Sequence, residues 1–223
     1  MNLVSQRTGI INQIRAFLLE RGVAVRQGLR FLRLELPGIL AGRSDVLSPH
    51  MVRIIEDLAG DWHQLDKRIE GVTSDIGELA AQDSACERLM TVPGIGPIIS
   101  SAMVAAIGNG DAFSKGRDFG AWLGLVPRQI STGDRTILGK ISKQGNRYLR
   151  VLFVQAARVV LLQLKSWDRY GLKGWIEAAK KRLHHNVLAI ALAHKLARIA
   201  WAGLNKERNF EVMRASVPSP QPA

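Results

Sequence analysis

The chain is predicted to be mainly α-helical: a long coiled-coil hairpin, then a compact helical domain holding a helix-hairpin-helix and a short β-hairpin or loop. Three observations carry this. Apolar residues at Met51, Ile55, Leu58, Trp62, Leu65, Ile69, Val72, Ile76 and Leu79 recur in strictly alternating steps of four and three, the spacing that keeps one seam of a helix apolar over several heptads. Three long apolar segments close the chain, at Arg147 to Lys165, Gly174 to His184 and Asn186 to Leu204. Between the seam and these segments, glycines punctuate short elements from about Gln82 to Gly145, which allows tight turns but no extended sheet.

The elements follow in order. Leu3, Ile10, Ile14, Phe17 and Leu18 form a helical stripe with Arg7, Arg15 and Arg21 outside it. Leu36-Pro37-Gly38 breaks that pattern, and Ser48-Pro49 reads as an N-cap with proline in the first turn. Gly60, Gly71 and Gly77 weaken the seam helix without erasing the seam. The helix before residue 35 either folds back on this seam, or the seam meets a second copy of the chain and makes a homo-oligomer. Residues 1–83 are read as this helical linker, residues 84–209 as the C-terminal domain, and residues 210–223 as a disordered tail, because Ser216-Val217-Pro218-Ser219-Pro220-Gln221-Pro222-Ala223 has nothing to bury.

Composition narrows the function. The 223 residues are 47% hydrophobic and carry a formal charge of +12. Residues 1–35 hold a net +4, residues 36–89 a net −5 and residues 90–223 a net +13. The positive charge therefore sits with the glycine-rich turns, an arrangement that suits nucleic acid. A merely solvated surface is the plainer alternative. Cys86 is the lone cysteine, so neither an intramolecular disulfide nor a CxxC metal site can form. The start lacks the apolar core of a signal peptide. Leu149 to Leu164, read as the most apolar stretch, is interrupted by Arg150, Gln155 and Arg158. These features predict no membrane partner and a cytoplasmic location.

Residue types then nominate a site. Val92-Pro93-Gly94-Ile95-Gly96-Pro97 joins two apolar helices, and Gly94 and Gly96 would let backbone N–H groups approach a phosphate; an ordinary helix–helix turn is the alternative. Gly133-Asp134 marks a turn after Ser131 and Thr132, near Arg128, Arg135, Lys140 and Lys143. Ser131 can hydrogen-bond a phosphate or, with cations to stabilise its alkoxide, act as a nucleophile. Gly145-Asn146 opens a helix on which Arg147, Arg150 and Arg158 share one face, opposite Leu152, Val159 and Leu162. Lys180, Lys181, Arg182, His184, His185, His194, Lys195 and Arg198 extend the basic surface, the histidines lacking zinc-site spacing. No acidic cluster suits a divalent cation, so no metal and no resident cofactor are expected.

Taken in order, Val92-Pro93-Gly94-Ile95-Gly96-Pro97, Ala121-Trp122-Leu123-Gly124-Leu125-Val126-Pro127-Arg128-Gln129, Ser131-Thr132-Gly133 and Gly139-Lys140-Ile141-Ser142-Lys143-Gln144-Gly145-Asn146-Arg147-Tyr148-Leu149-Arg150 closely resemble a family of bacterial insertion-sequence transposases. Its members join an N-terminal resolvase-like domain to a coiled-coil linker and a C-terminal transposase domain. Some are guided by an element-encoded RNA, and the Piv-type DNA invertases are relatives. The resemblance implies a DNA recombinase whose serine, Ser131 here, attacks a phosphodiester. It also implies a partnering Asp-Glu-Asp-Asp site for Mg²⁺ in the resolvase-like domain. This chain starts at what resembles the inter-domain helix, so the resemblance implies an N-terminally truncated copy, with Mg²⁺ expected only alongside the missing domain. A non-catalytic helix-hairpin-helix DNA-binding module and a dimerising coiled-coil remnant are the alternatives.

Overall fold

The computed structural model describes residues 2–42, 46–132, 135–163 and 170–210. The chain divides into two compact units, Met1–Asp75 and Ile76–Ala223. Residues 211–223 of the sequence-predicted tail and the Gly133-Asp134 turn lie outside the described residues; Phe210, read as the start of that tail, instead packs against the core of the second unit and donates its N–H to Thr91 Oγ1 at 2.8 Å.

The first unit is helical. Helix α1 (Leu3–Glu20) is capped by Asn2, whose side chain accepts from the Val4 amide. Helix α2 spans Leu29–Gly42, and α3 runs Pro49–Gln82. Ile11, Ile14 and Leu18 of α1, Leu32 and Leu36 of α2, and Ile55 and Trp62 of α3 form one buried cluster. The first half of the heptad seam is thus covered from within the chain. Beyond it Val72 is 48% exposed and Leu79 66%.

One buried carboxylate ties the three helices. Asp66 accepts from Arg7 Nη1 at 2.9 Å and from Arg33 Nη2 at 2.6 Å, and the Arg33 guanidinium also lies over the Trp62 ring. The expected break at Pro37 does not occur, since α2 continues through it. An interior proline costs about 3 kcal/mol, whereas burying Leu32 and Leu36 contributes about 1.5–3 kcal/mol each; burial wins.

The second unit is built around α9 (His185–Asn205), whose Leu188, Leu192, Leu196, Ala200 and Leu204 are buried. Packed against it are α4 (Ser84–Met90), α6 (Gly116–Trp122), α7 (Arg147–Leu162) and α8 (Lys173–Lys180). Helix α5 (Pro97–Ile107) follows α4 and also meets α7. Among the described residues α9, rather than Leu149 to Leu164, is the helix long and apolar enough to cross a membrane, and half of its apolar window is buried inside the unit. Burial pushes the Cys86 thiol above its ordinary value, against a hydrogen bond with Ser100 and with the help of the Asp83 charge.

The buried stripe of α7 is Leu149, Phe153, Ala156, Ala157 and Val160. The stripe expected from sequence was displaced by one residue: Val159 is 43% exposed, Leu162 83% and Leu152 half-buried. Arg147 and Arg158 do face solvent, as that reading required.

Between α6 and α7 stands the one sheet among the described residues, an antiparallel ribbon of β1 (Pro127–Thr132) and β2 (Arg135–Ile141).

Candidate nucleic-acid interface

The ribbon is exposed along nearly its whole length, including Ile130, Ile137 and Leu138. An isolated two-stranded hairpin is marginal in water, so its neck must be held. Gly145 adopts φ +80°, and a Cβ there would overlap the Trp122 carbonyl oxygen; only glycine fits. Asn146 N donates to that same carbonyl at 3.1 Å, Lys143 N to Gly124 O at 3.2 Å and Ser142 N to Val126 O at 2.8 Å. Arg150 Nη1 completes the clamp, donating to Leu123 O at 2.9 Å and Gln144 O at 3.2 Å. Arg150 was expected to hold a phosphate. The structure commits its Nη1 to the neck, while Nε and Nη2 keep three of the guanidinium's five donors.

Register decides which side chains share a face. Gln129 pairs Leu138, Ile130 pairs Ile137, Ser131 pairs Thr136 and Thr132 pairs Arg135. Residues directly opposite lie on one side of a ribbon and neighbours along a strand alternate. Ser131 therefore shares its face with Gln129, Thr136 and Leu138, and Arg135 lies on the other face with Ile130, Thr132 and Ile137. Alternation along β1 puts Arg128 on the Arg135 face as well. Toward the neck the pairing shifts by one, so that Gly139 and Lys140 together oppose Arg128, a bulge that bends the ribbon. Ser131 is exposed, and its Oγ accepts from Gln129 Nε2 at 3.0 Å. A neutral amide donor orients that hydroxyl but cannot take its proton. The expectation of a serine ringed by Arg128 and Arg135 is thus corrected: strand alternation turns those two cations away from it.

The two nominated glycines of the Thr91–Gly96 turn have different jobs. Gly94 sits at φ +79°, and a Cβ there would come 2.7 Å from Val160 Cγ2 and 2.9 Å from Ala156 O. Its bareness lets the turn press on α7. Gly96 caps α5 and has open space at its Cβ position. Fewer amides are free for a phosphate than the motif suggests. Pro97 has no N–H, and the Ile99 and Ser100 amides both donate to Gly96 O at 3.0 Å.

Lys143 and Arg147 are exposed beside the ribbon's neck. Lys143 is one of two non-glycine residues with positive φ among those described, at +57°. Arg147 opens α7, where the Asn146 side chain accepts from Leu149 N at 3.0 Å.

Sequence reasoning placed His194 on the basic surface. Instead its ring packs against α6, where a Cβ on Gly120 would come 2.5 Å from Nε2. That Nε2 is buried without a hydrogen-bond partner. Burial, then the Arg198 and Arg117 charges, hold the imidazole below its ordinary pKa, so His194 is neutral at neutral pH. The Gly116 and Gly120 pair, four apart, was the unread signal for this close α6–α9 approach. Lys195 lies over the Trp175 ring at 5.1 Å, and His184 caps α9 by accepting from Asn186 N. Among the described residues no group of three or more His, Cys, Asp or Glu is placed to hold a metal ion.

Residues 86–171, which span α4, the turn, α5, α6, the ribbon and α7, match the family described as Transposase IS116/IS110/IS902. The match covers under half of the chain and lies within the second unit. The chain is 40% identical over 199 residues to the "Transposase for insertion sequence element IS1328" of Yersinia enterocolitica, covering 89% of this chain and 58% of that protein. It is 38% identical over 206 residues to a "Probable family 20 transposase" of Pseudomonas aeruginosa, covering 92% and 61%. A "Pilin gene-inverting protein" of Moraxella bovis is 26% identical over 175 residues, covering 76% and 52%. The chain thus spans about half to three fifths of the length of these relatives.

Proposed function

We propose that the chain is a member of that transposase family, binds DNA and carries the serine that cleaves and rejoins strands in transposition. The carrying observation is the ribbon: an exposed strand pair, clamped at its neck, that presents Ser131 to solvent on a unit dominated by positive charge. A two-stranded ribbon is one of two elements that the major groove of DNA admits. Lys140, Lys143 and Arg147 hold backbone phosphates, which sets position along the duplex. Arg128 and Arg135 do so from the opposite face of the ribbon, with the Thr132 hydroxyl between them.

In the step proposed, Ser131 Oγ attacks a phosphorus. The Oγ–P bond forms as a P–O bond to the leaving sugar oxygen breaks. The hydroxyl proton passes to a base supplied from outside the ribbon, and the leaving oxygen takes up a proton. Mg²⁺ does not fit here, since the described residues of the ribbon supply no carboxylate. DNA is the partner assigned, an element-encoded guide RNA is compatible with the same cationic surface, and the location proposed is the cytoplasm.

Full-length chain incubated with DNA of the element ends tests this. Ser131→Ala is expected to abolish any covalent protein–DNA adduct while leaving salt-sensitive binding nearly intact. An adduct that persists in the variant overturns the nucleophile assignment, and no adduct even with the wild type leaves the non-catalytic binding reading. A second reading, pairing of two copies, is favoured by the apolar seam of α3 that stays uncovered at Val72 and Leu79. Sedimentation as a strict monomer overturns it.

A further inference from the structure

A groove of about 850 Å³ runs between the neck of the ribbon and the first half of α9. Its volume falls in the roughly 300–1,000 Å³ range of sites that take a small molecule. The walls are apolar: Leu125, Leu138 and Ile141 on the ribbon side, Val187, Ile190 and Ala191 on the helix. Lys140 and Lys143 line it as well, Asn186 stands on the helix side, and no carboxylate lines it.

Two properties of these walls choose the occupant. Leu138 and Val187 are 65% and 52% exposed, so the free protein leaves apolar surface in water on both sides of one cleft. Lysines beside that cleft favour an anion. A paired duplex offers phosphates but keeps its base faces stacked, and an apolar peptide gains nothing from the two ammonium groups. A nucleotide with its base out of the stack has flat apolar faces, a polar edge and a phosphate on one molecule.

We infer that this groove takes an unpaired base of the DNA strand that lies along the ribbon, with Lys140 and Lys143 on its flanking phosphates and the Asn186 amide at the base's polar edge. The inference rests on the DNA-binding reading above and adds a subsite to it. Extruding a base is least costly where it is already unpaired. The bulge at Gly139 and Lys140 gives the subsite its placement, since it bends β2 where β2 forms the wall.

The test compares the affinity of the full chain for a fully paired duplex and for the same duplex with one unpaired base, by fluorescence anisotropy. A 2-aminopurine at the unpaired position reports whether that base enters the protein. The wild type, spared the cost of unpairing, is expected to bind the unpaired-base duplex about tenfold more tightly, with a change in 2-aminopurine emission. Val187→Trp, which fills the groove from the helix, is expected to erase that preference while leaving paired-duplex affinity and melting temperature unchanged, and Leu138→Trp, which fills it from the ribbon, is expected to erase the preference as well. Equal affinity of the wild type for both duplexes overturns the subsite and leaves the DNA-binding reading standing. A preference that survives both tryptophans, or a loss of paired-duplex binding in Val187→Trp, likewise overturns it. Tighter binding of the equivalent single-stranded RNA overturns the assignment to DNA, and failure to bind any of these probes overturns the parent reading.

Discussion

Lys143 offers a perturbation in which stability and binding move in opposite directions. Its backbone sits at φ +57°, a conformation that costs an L-residue with a side chain about 1–2 kcal/mol. Lys143→Gly removes that cost, and the greater freedom of glycine in the unfolded chain returns about 0.5–1 kcal/mol. The net gain is about 0.5–1 kcal/mol, a rise of about 2 °C in melting temperature for a chain of this size. Lys143→Ala keeps the backbone penalty and is expected to melt within about 1 °C of the parent. Both variants lose one exposed ammonium beside the ribbon. If it holds a phosphate, the slope of log affinity against log salt falls by about 0.9 in each. Calorimetry on the two variants reads the first effect, and anisotropy titrations from low to moderate salt read the second. An alanine variant as stable as the glycine variant refutes the backbone argument; an unchanged salt slope refutes the phosphate contact.

Other outcomes follow from the same reasoning. Gly94→Ala is expected to cost about 2–4 kcal/mol in urea unfolding, since Val160 and the Ala156 carbonyl leave no room. Gly96→Ala, with open space at its Cβ position, costs under about 1 kcal/mol; equal costs refute the distinction. Asp66→Asn strips Arg7 and Arg33 of their shared partner and is expected to destabilise the first unit by about 2 kcal/mol, visible as an earlier denaturation transition. His194 has a folded pKa below its ordinary value of about 6.5. The unfolded chain therefore takes up a proton first as pH falls, and stability is lost from about pH 6.5 downward through the lower folded value. His194→Gln should flatten melting temperature between pH 8 and 5, and an unaltered pH profile rejects the assignment.

Much of the architecture was legible because it is local. The seam of α3 announces itself by periodicity, the start of α7 by Gly145-Asn146, and the ribbon by a turn signal between two short runs. What covers the seam was not legible. Whether another helix or a second copy supplies apolar cover depends on contacts between residues far apart in sequence; Ile55 and Trp62 are buried in one cluster with α1 and α2, and Val72 is not. Pro37 misled for a related reason: a propensity is a local cost, and the burial that outweighs it is not local.

At the candidate site residue types announced chemistry but not assignment. A net charge of +13 after residue 89 is the same in any conformation, so affinity for a polyanion could be read directly from composition. Which cations remain available could not. Arg150 and Arg147 are three apart on one helix, yet one clamps Leu123 and Gln144 and the other faces water. Arg135 and Ser131 are near neighbours in the chain, yet strand register sets them on opposite faces. Periodicity and charge are properties of the chain and survive any folding. Partners, register and the groove beside α9 exist only once distant segments pack, because each depends on where another segment's atoms come to rest.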